Sequence, residues 1–311
     1  VSGANPVDKV AEQSRARPGT SDGDVAERFR ARPGTLYVVA TPLGNLRDVT
    51  LRALDVLATV DVIAAEDTRV TAKLLSRYGL ATRTLSLHAH NEAERAKDVI
   101  ARLAAGESVA LVTDAGTPAV SDPGARLVRA THEAGRPVVP VPGASALTAA
   151  VSVAGAQANT FVFAGFPPAK AAARRAWLDR LARLPAAVVL YEAPHRVAST
   201  VEDIVASFGD ARSLVVAREI TKAFETIARM PLGGARAWFA EDPNRVRGEF
   251  VLIVDAPENE EAAPVLDESA ERWLAALLTE LPPARAARVV AAVTGIARDV
   301  VYARAIAIKP A

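Results

Sequence analysis

From residue 36 onward, short β-branched runs alternate with segments whose apolar residues recur at helical spacing. That alternation restricts the fold more than any other feature. The runs are LYVVAT (36–41), DVIAAE (61–66), RTLSLH (83–88), VALVTD (109–114) and VVPVPG (138–143). Between them lie stretches such as EAERAKDVIARLAAG (92–106), where Ala93, Ala96, Val99, Ile100 and Leu103 fall on one helical face and Gly106 supplies a stop. Strands alternating with helices predict a mostly parallel sheet covered on both faces. A second set, FVFAGF (161–166), AAVVLYEA (186–193), RSLVVARE (212–219) and GEFVLIVDA (248–256), is richer in antiparallel pairings. A chain of 311 residues has room for about two such α/β domains.

The expected organisation is a flexible N-terminal extension over 1–34, an N-terminal α/β domain over 35–156, a C-terminal α/β domain over 157–257, and an acidic linker with a helix-turn-helix-like module over 258–311. RARPGT occurs twice in the first part, at 15–20 and 30–35, which is too few copies for a repeat array. Residues 256–280 carry seven acids against Arg272 alone, and from 281 on five basic residues face only Asp299. Two helices are expected there, entered after Pro282-Pro283 and split by Thr294-Gly295. A basic tail of this kind either touches nucleic acid or packs on the body of the protein.

Composition removes several function classes. There is no Cys, so disulfides, thiolate nucleophiles and Cys-ligated metals are excluded, and four His leave little for a metal cage. No apolar run approaches a membrane span, and the start, VSGANPVDKVAEQSRARPGT, lacks the apolar core of a secretory signal. A cytoplasmic protein with no membrane partner is the expectation. The net charge of +1 argues neither for nor against nucleic acid.

Ligands of α/β proteins gather at the carboxyl ends of parallel strands. Here those ends carry TPLGN, AEDTRVT, HAHNEAE, TDAGTPAVSDPG and PGAS, and the second domain adds GFPPAK, YEAPHR and REITK. TDAGTPAVSDPG says most. Asp114 leaves a buried strand, Gly116 permits close backbone approach, and Pro118 and Pro123 stiffen the loop. An acid at such a strand end typically takes ribose hydroxyls, and no stack of helix-start amides for pyrophosphate follows, so the stretch reads as a site for an adenosine without a polyphosphate, or as a plain structural loop. His88 and His90 could ligate a metal, but no third or fourth ligand is evident, so no metal is expected. Glu66 and Asp67 read as paired acid and base, or as an ion pair with Arg69. His195-Arg196 reads as a phosphate site, or as a helix-start ion pair with Glu192. Ser121 and Ser145 lack the setting of a serine nucleophile.

TPLGNLRDVTLRAL, AEDTRVTAKLL, HAHNE, LVTDAGTPAVSDPG, PVPGASAL, GFPPAK, YEAPHR and REITKAFET occur in this order. Together they resemble the 16S rRNA (cytidine-2′-O)-methyltransferases of the tetrapyrrole-methylase superfamily. The resemblance covers about residues 35–256, and GIARDVVYARAIA resembles the C-terminal helical module of that family. It implies two α/β domains with S-adenosylmethionine in the cleft between them, a homodimer, and a cytidine ribose in 16S rRNA of the small subunit as substrate. The first loop then shapes the cleft instead of cradling phosphate, with Pro42 and Gly44 in place of a dinucleotide fingerprint.

By motif position the resemblance assigns Asp114, Gly116, Ser121, Ser145 and Ala146 to the cofactor, with Tyr191, Ala217 and Gly248 from the second domain. Candidates for the proton acceptor are Glu66, Asp67, His88 and Glu192. Arg69, His90, Asn91, Lys170, His195, Arg196, Arg218 and Lys222 are assigned to the RNA. The chain departs from the family pattern at Ala144, where proline is common, at Met230, where a glycine turn is expected, and at Arg298-Asp299, where a basic pair is usual. Two other readings stay open: a precorrin-type small-molecule methyltransferase, and a ribosome-assembly factor without turnover.

Overall fold

The structure is a computed structural model that describes residues 30–156, 160–257, 266 and 268–308. Most of the N-terminal extension and of the acidic linker lies outside the described residues.

Five strands, β1 (Leu36–Val39), β2 (Val62–Ala65), β3 (Thr84–Ser86), β4 (Val109–Val112) and β5 (Val138–Val141), form one parallel sheet in the order β3-β2-β4-β1-β5. Helices α1 (Leu51–Thr59), α2 (Thr68–Arg77), α3 (Glu92–Ala104) and α4 (Ala125–Glu133) provide the crossovers. β2 and β4 are buried at every position, as strands covered on both faces must be. In β1 the two-residue period sends Tyr37 and Val39 into one apolar cluster and Leu36 toward the other. Thr50 starts α1 by accepting a hydrogen bond from the Ala53 N–H at 3.1 Å.

The inward stripe of α3 differs from expectation. Ala93 is exposed, and the buried positions are Glu92, Ala96, Val99 and Leu103. The reason is α4, which starts at Gly124 with no side chain to cap it. The Glu92 carboxylate does that work, accepting from the N–H groups of Gly124, Arg126 and Leu127 at 3.0, 2.8 and 3.3 Å. An anion at a helix N-terminus meets unpaired amides and the positive end of the helix dipole, so this carboxylate can be buried.

The second sheet is mixed. β6 (Phe161–Gly165), β7 (Ala187–Glu192), β8 (Ser213–Arg218), β9 (Thr226–Pro231) and β10 (Phe250–Val254) lie in the order β6-β7-β10-β8-β9, with only β6 and β7 parallel. Helices α6 (Ala171–Ala182), α7 (Val197–Phe208) and α8 (Leu232–Glu241) complete this half. The turn expected around Met230 is not there. Residues 226–231 form the edge strand β9, Met230 pairs with Leu214, and its side chain packs against the apolar cluster under the sheet.

Helix α5 (Ala146–Ala154) follows the first sheet in the chain but packs on the second. Its buried Ala150 and Ala154 lie against Ala187, Val189, Val215, Ala217, Val251 and Ile253. Small residues let the helix sit close to the strands, so this contact couples the two halves. Past the linker, α9 (Glu268–Glu280), α10 (Pro283–Thr294) and α11 (Arg298–Ile308) enclose their own core, which includes Leu274, Leu278, Val290 and Val301. Gly295, with φ +75°, ends α10 in the left-handed conformation that favours glycine. No helix among the described residues is long and apolar enough to cross a membrane.

Candidate active site

The carboxyl ends of the parallel strands are joined by short polar contacts. Thr41, after β1, and Gly116, after β4, exchange two backbone hydrogen bonds of 2.9 Å, and the Thr41 hydroxyl donates to the Thr113 carbonyl at 3.0 Å. Beyond β2 the Asp67 N–H donates to Asp114 Oδ1 at 3.0 Å, and the Asp114 N–H donates to Glu66 Oε2 at 3.3 Å. β2 and β4 are sheet neighbours, so three carboxylates converge where the strands stop.

A cavity of about 340 Å³ opens between the two sheets. Its lining includes Leu43, Gly116, Thr117, Val120 and Asp122 from the first half, Ser145 and Ala146 at the start of α5, and Phe166, Tyr191, Ala217, Ile220 and Glu249 from the second. The walls are mostly apolar with a few convergent polar groups, the usual make-up of a small-molecule site. Gly116 has φ +79°, and a Cβ there would meet the Leu43 side chain at 3.2 Å. The Tyr191 hydroxyl accepts from the Leu147 N–H at 3.0 Å, which fixes its ring against Phe163 and Phe166.

Of the residues assigned to the cofactor, Gly116, Ser145, Ala146, Tyr191 and Ala217 line this cavity. Ser121 does not, but at φ +64° it brings its hydroxyl up to Gly165 of the second half. Pro42 and Asp114 are also outside the lining. Gly44 faces away from the cavity, against the Lys222 stem, which an added Cβ would overlap. Gly248, with φ +89°, lies under Glu219 in the same way.

The four proton-acceptor candidates have different surroundings. Asp67 caps α2 and is held by Arg69, whose hydrogen bonds draw its carboxyl down to about 2. Glu66 is raised above the ordinary range by burial and by the nearby Asp114 and Asp67 charges, against the pull of the Asp114 N–H. His88 lies close enough for its charge to act on Glu66, and its buried Nδ1 has no partner. Glu192 lines the cavity, but its carboxylate is engaged: it accepts from the Ala193 N–H at 2.8 Å and the Thr200 hydroxyl at 2.5 Å, and Arg196 Nη2 is 3.3 Å away.

The residue that sequence reading passed over is Asp122. It lines the cavity, burial raises its carboxyl, the Glu66 and Asp114 charges raise it further, and it reaches about 6. Its neighbour Ser121 was singled out from the same loop; the signal for Asp122 was the SDPG sequence itself.

The residues assigned to RNA divide into two groups. Arg69, His90, Lys170 and His195 are exposed on the rim. Asn91, Arg196, Arg218 and Lys222 are used by the fold. Asn91 Oδ1 accepts from the His88 N–H at 2.8 Å, closing the loop before α3. Arg196 also donates to the Pro167 carbonyl. Arg218 donates to the carbonyls of Arg247 and Phe224 at 2.5 and 3.1 Å. Lys222 Nζ sits 2.9 Å from both Glu219 and Glu249.

The family described as Tetrapyrrole (Corrin/Porphyrin) Methylases matches residues 35–236, and the RsmI C-terminal HTH domain matches residues 264–309. A ribosomal RNA small subunit methyltransferase I from Xylella fastidiosa is 49% identical over 86% of this chain and 97% of its own length. The protein of the same name from Escherichia coli O157:H7 is 46% identical over 86% of this chain and 93% of its own. The chain belongs to the ribosomal RNA small subunit methyltransferase I family. Among solved structures the methyltransferase CobJ superposes with a TM-score of 0.55 at 22% identity, covering 72% of this chain and 95% of that one. Uroporphyrin-III-C-methyltransferase from Thermus thermophilus gives 0.51 at 20% identity, covering 71% and 94%. These two likenesses support the two-domain fold and say nothing of the substrate.

Proposed function

We propose that this chain transfers a methyl group from S-adenosylmethionine to the ribose 2′-oxygen of a cytidine in the decoding centre of 16S rRNA, within the small ribosomal subunit. Membership of the family supports the reaction class, and the name shared by its relatives supports the substrate. The observation that carries the reading is a half-buried carboxyl, Asp122, raised to about 6 and facing a mostly apolar cavity of about 340 Å³ beside a left-handed glycine.

The residues present fit the cofactor. Gly116, Thr117, Ser145, Ala146, Tyr191 and Ala217 would hold it, with backbone exposed at Gly116 and an aromatic face at Tyr191. When bound, S-adenosylmethionine supplies a methyl carbon activated by its sulfonium. The chain has to hold the ribose oxygen in line with that carbon at about 3–3.5 Å and dispose of one proton. Asp122 accepts that proton from the 2′-hydroxyl and returns it to solvent. Burial and the adjacent Glu66 and Asp114 make it a better base than an ordinary aspartate. Glu192, held by Arg196, shapes another part of the wall.

The reading places the chain in the cytoplasm with its substrate, as a homodimer. The exposed apolar Val153 of α5 and Ile227 of β9 are surfaces a second copy would cover, and light scattering would show the dimer. The deciding experiment is transfer from labelled S-adenosylmethionine to small subunits lacking the modification, with naked 16S rRNA and a precorrin alongside. Label on one cytidine 2′-oxygen supports the reading. Label on the precorrin alone replaces it with a small-molecule methyltransferase, and cofactor binding without any label replaces it with a non-catalytic assembly factor.

A further inference from the structure

A second concavity lies outside the cofactor cavity and shares a wall with it. Leu43 lines the cavity while Gly44 lines the groove, and Ile220 lines the cavity while Thr221 and Lys222 line the groove. Its lining comes from the loop after β1, the start of α1 and the end of α2, tied together where the Tyr78 hydroxyl donates to the Leu46 carbonyl at 2.6 Å. The lining carries Arg47, Arg77 and Lys222 and no carboxylate. Lys222 is held by Glu219 and Glu249, but neither Arg47 nor Arg77 is in an ion pair among the described residues. Phe224 directly follows the lining residue Ala223 and is 74% exposed, and Leu51 of the lining is 80% exposed.

Unpaired arginines beside an exposed aromatic ring suit a nucleic-acid strand whose bases are free to stack. A duplex keeps its bases stacked on each other and offers nothing to Phe224. A protein partner would be expected to bring acids for the arginines, and no feature of the groove selects one. The strand has also to run from the groove to a ribose in the cavity, and Leu43–Gly44 and Ile220–Thr221 are adjacent residues only about 3.8 Å apart between Cα atoms.

We propose that this groove seats the single-stranded RNA segment beside the target nucleotide, with Arg47 and Arg77 on its phosphates and Phe224 stacked on an unpaired base. The inference rests on the proposed rRNA reading and adds to it the part of the substrate that is recognised and the surface that does so. None of these three residues stood out in the sequence, because nothing in the chain order shows that α2, the loop after β1 and the loop after β8 meet.

The test measures affinity for small subunits lacking the modification as a function of salt, for the parent, Arg47→Ala/Arg77→Ala, Arg47→Lys/Arg77→Lys, Phe224→Ala and Phe224→Trp. Cofactor affinity is measured on each variant to show that the fold is intact. Losing two phosphate contacts to a single strand lowers the salt slope by about 1.4 and the affinity by about 25-fold at 0.1 M salt. The double lysine variant keeps most of the slope. Phe224→Ala loses about tenfold with the slope unchanged, and Phe224→Trp restores the affinity. A double alanine variant with the parent's slope and affinity overturns the groove while leaving the rRNA reading intact. A parent that transfers no methyl group to any RNA overturns both.

Discussion

The two lips of the cleft treat their partly buried carboxylates in opposite ways. On the second sheet the charges are paired: Glu192 with Arg196 and Thr200, Lys222 between Glu219 and Glu249, and Arg218 on two carbonyls. Burial alone would raise Glu219, but the Glu249 N–H and the Lys222 ammonium hold it below the usual range. On the first sheet, Glu66, Asp114 and Asp122 crowd together, and burial raises all three. Crowded carboxyls cost stability when ionised, and a fold tolerates them where a proton is to be moved. Paired charges fix a shape. Under the proposed reaction, this contrast puts proton chemistry on one lip and scaffolding on the other.

The largest expected effect tests the first lip. Asp122→Asn should lower kcat/KM for subunits by about 10²–10⁴-fold and abolish the rise in rate through about pH 6. It should also raise the melting temperature at pH 7. The native carboxyl holds its proton more tightly than the unfolded one, so the native state loses relative stability as pH climbs from the ordinary aspartate range through about 6. Near pH 4 the gain from the asparagine should shrink away. A variant with the parent's pH profile would remove the proton from this lip.

Next comes Glu192→Ala, which leaves Arg196 without its carboxylate and Thr200 without its acceptor. Urea unfolding should show a loss of about 3 kcal/mol, the low end for stripping one partner from a buried pair. Glu192→Gln keeps an acceptor and should recover much of that stability. If it folds like the parent yet transfers no methyl group at any pH, the division between the lips breaks down. Gly248→Ala should be milder. A Cβ there overlaps Glu219 and the backbone sits at φ +89°, a strain of about 1–3 kcal/mol in thermal unfolding. Smallest of all, Arg69→Ala should cost only a little stability at pH 7, because its side chain is 87% exposed and solvent screens the pair. Its effect should appear in a titration followed by NMR, with Asp67 rising from about 2 toward an ordinary aspartate.

Most strands were legible because β-branched runs need no long-range knowledge. β9 was not, because its Ala-Arg-Met-Pro run lacks that signal and its inward face appears only once Met230 is set against Leu214. HAHNE was legible as a polar strand end, but not in its uses. Asn91 folds the loop and Glu92 caps α4 some thirty residues on, and a helix start with no capping residue of its own gives no local sign of where its anion comes from. The cofactor loop was legible as a loop. Which of Ser121 and Asp122 faces the cavity depends on backbone angles, including two left-handed residues, Ala119 and Ser121, that composition does not encode. Lys222 was assigned to the RNA, and its ion pairs were not legible, because Glu219 and Glu249 converge on it only after β8 and β10 pair.

The paired backbone hydrogen bonds between Thr41 and Gly116 make the loops after β1 and β4 one rigid body, a fixed jaw. On the facing side residues 219–225 join two antiparallel strands, with Glu219 and Thr221 in the left-handed region and Lys222 holding the turn through Glu219 and Glu249, so the mouth of the cavity has two preformed edges.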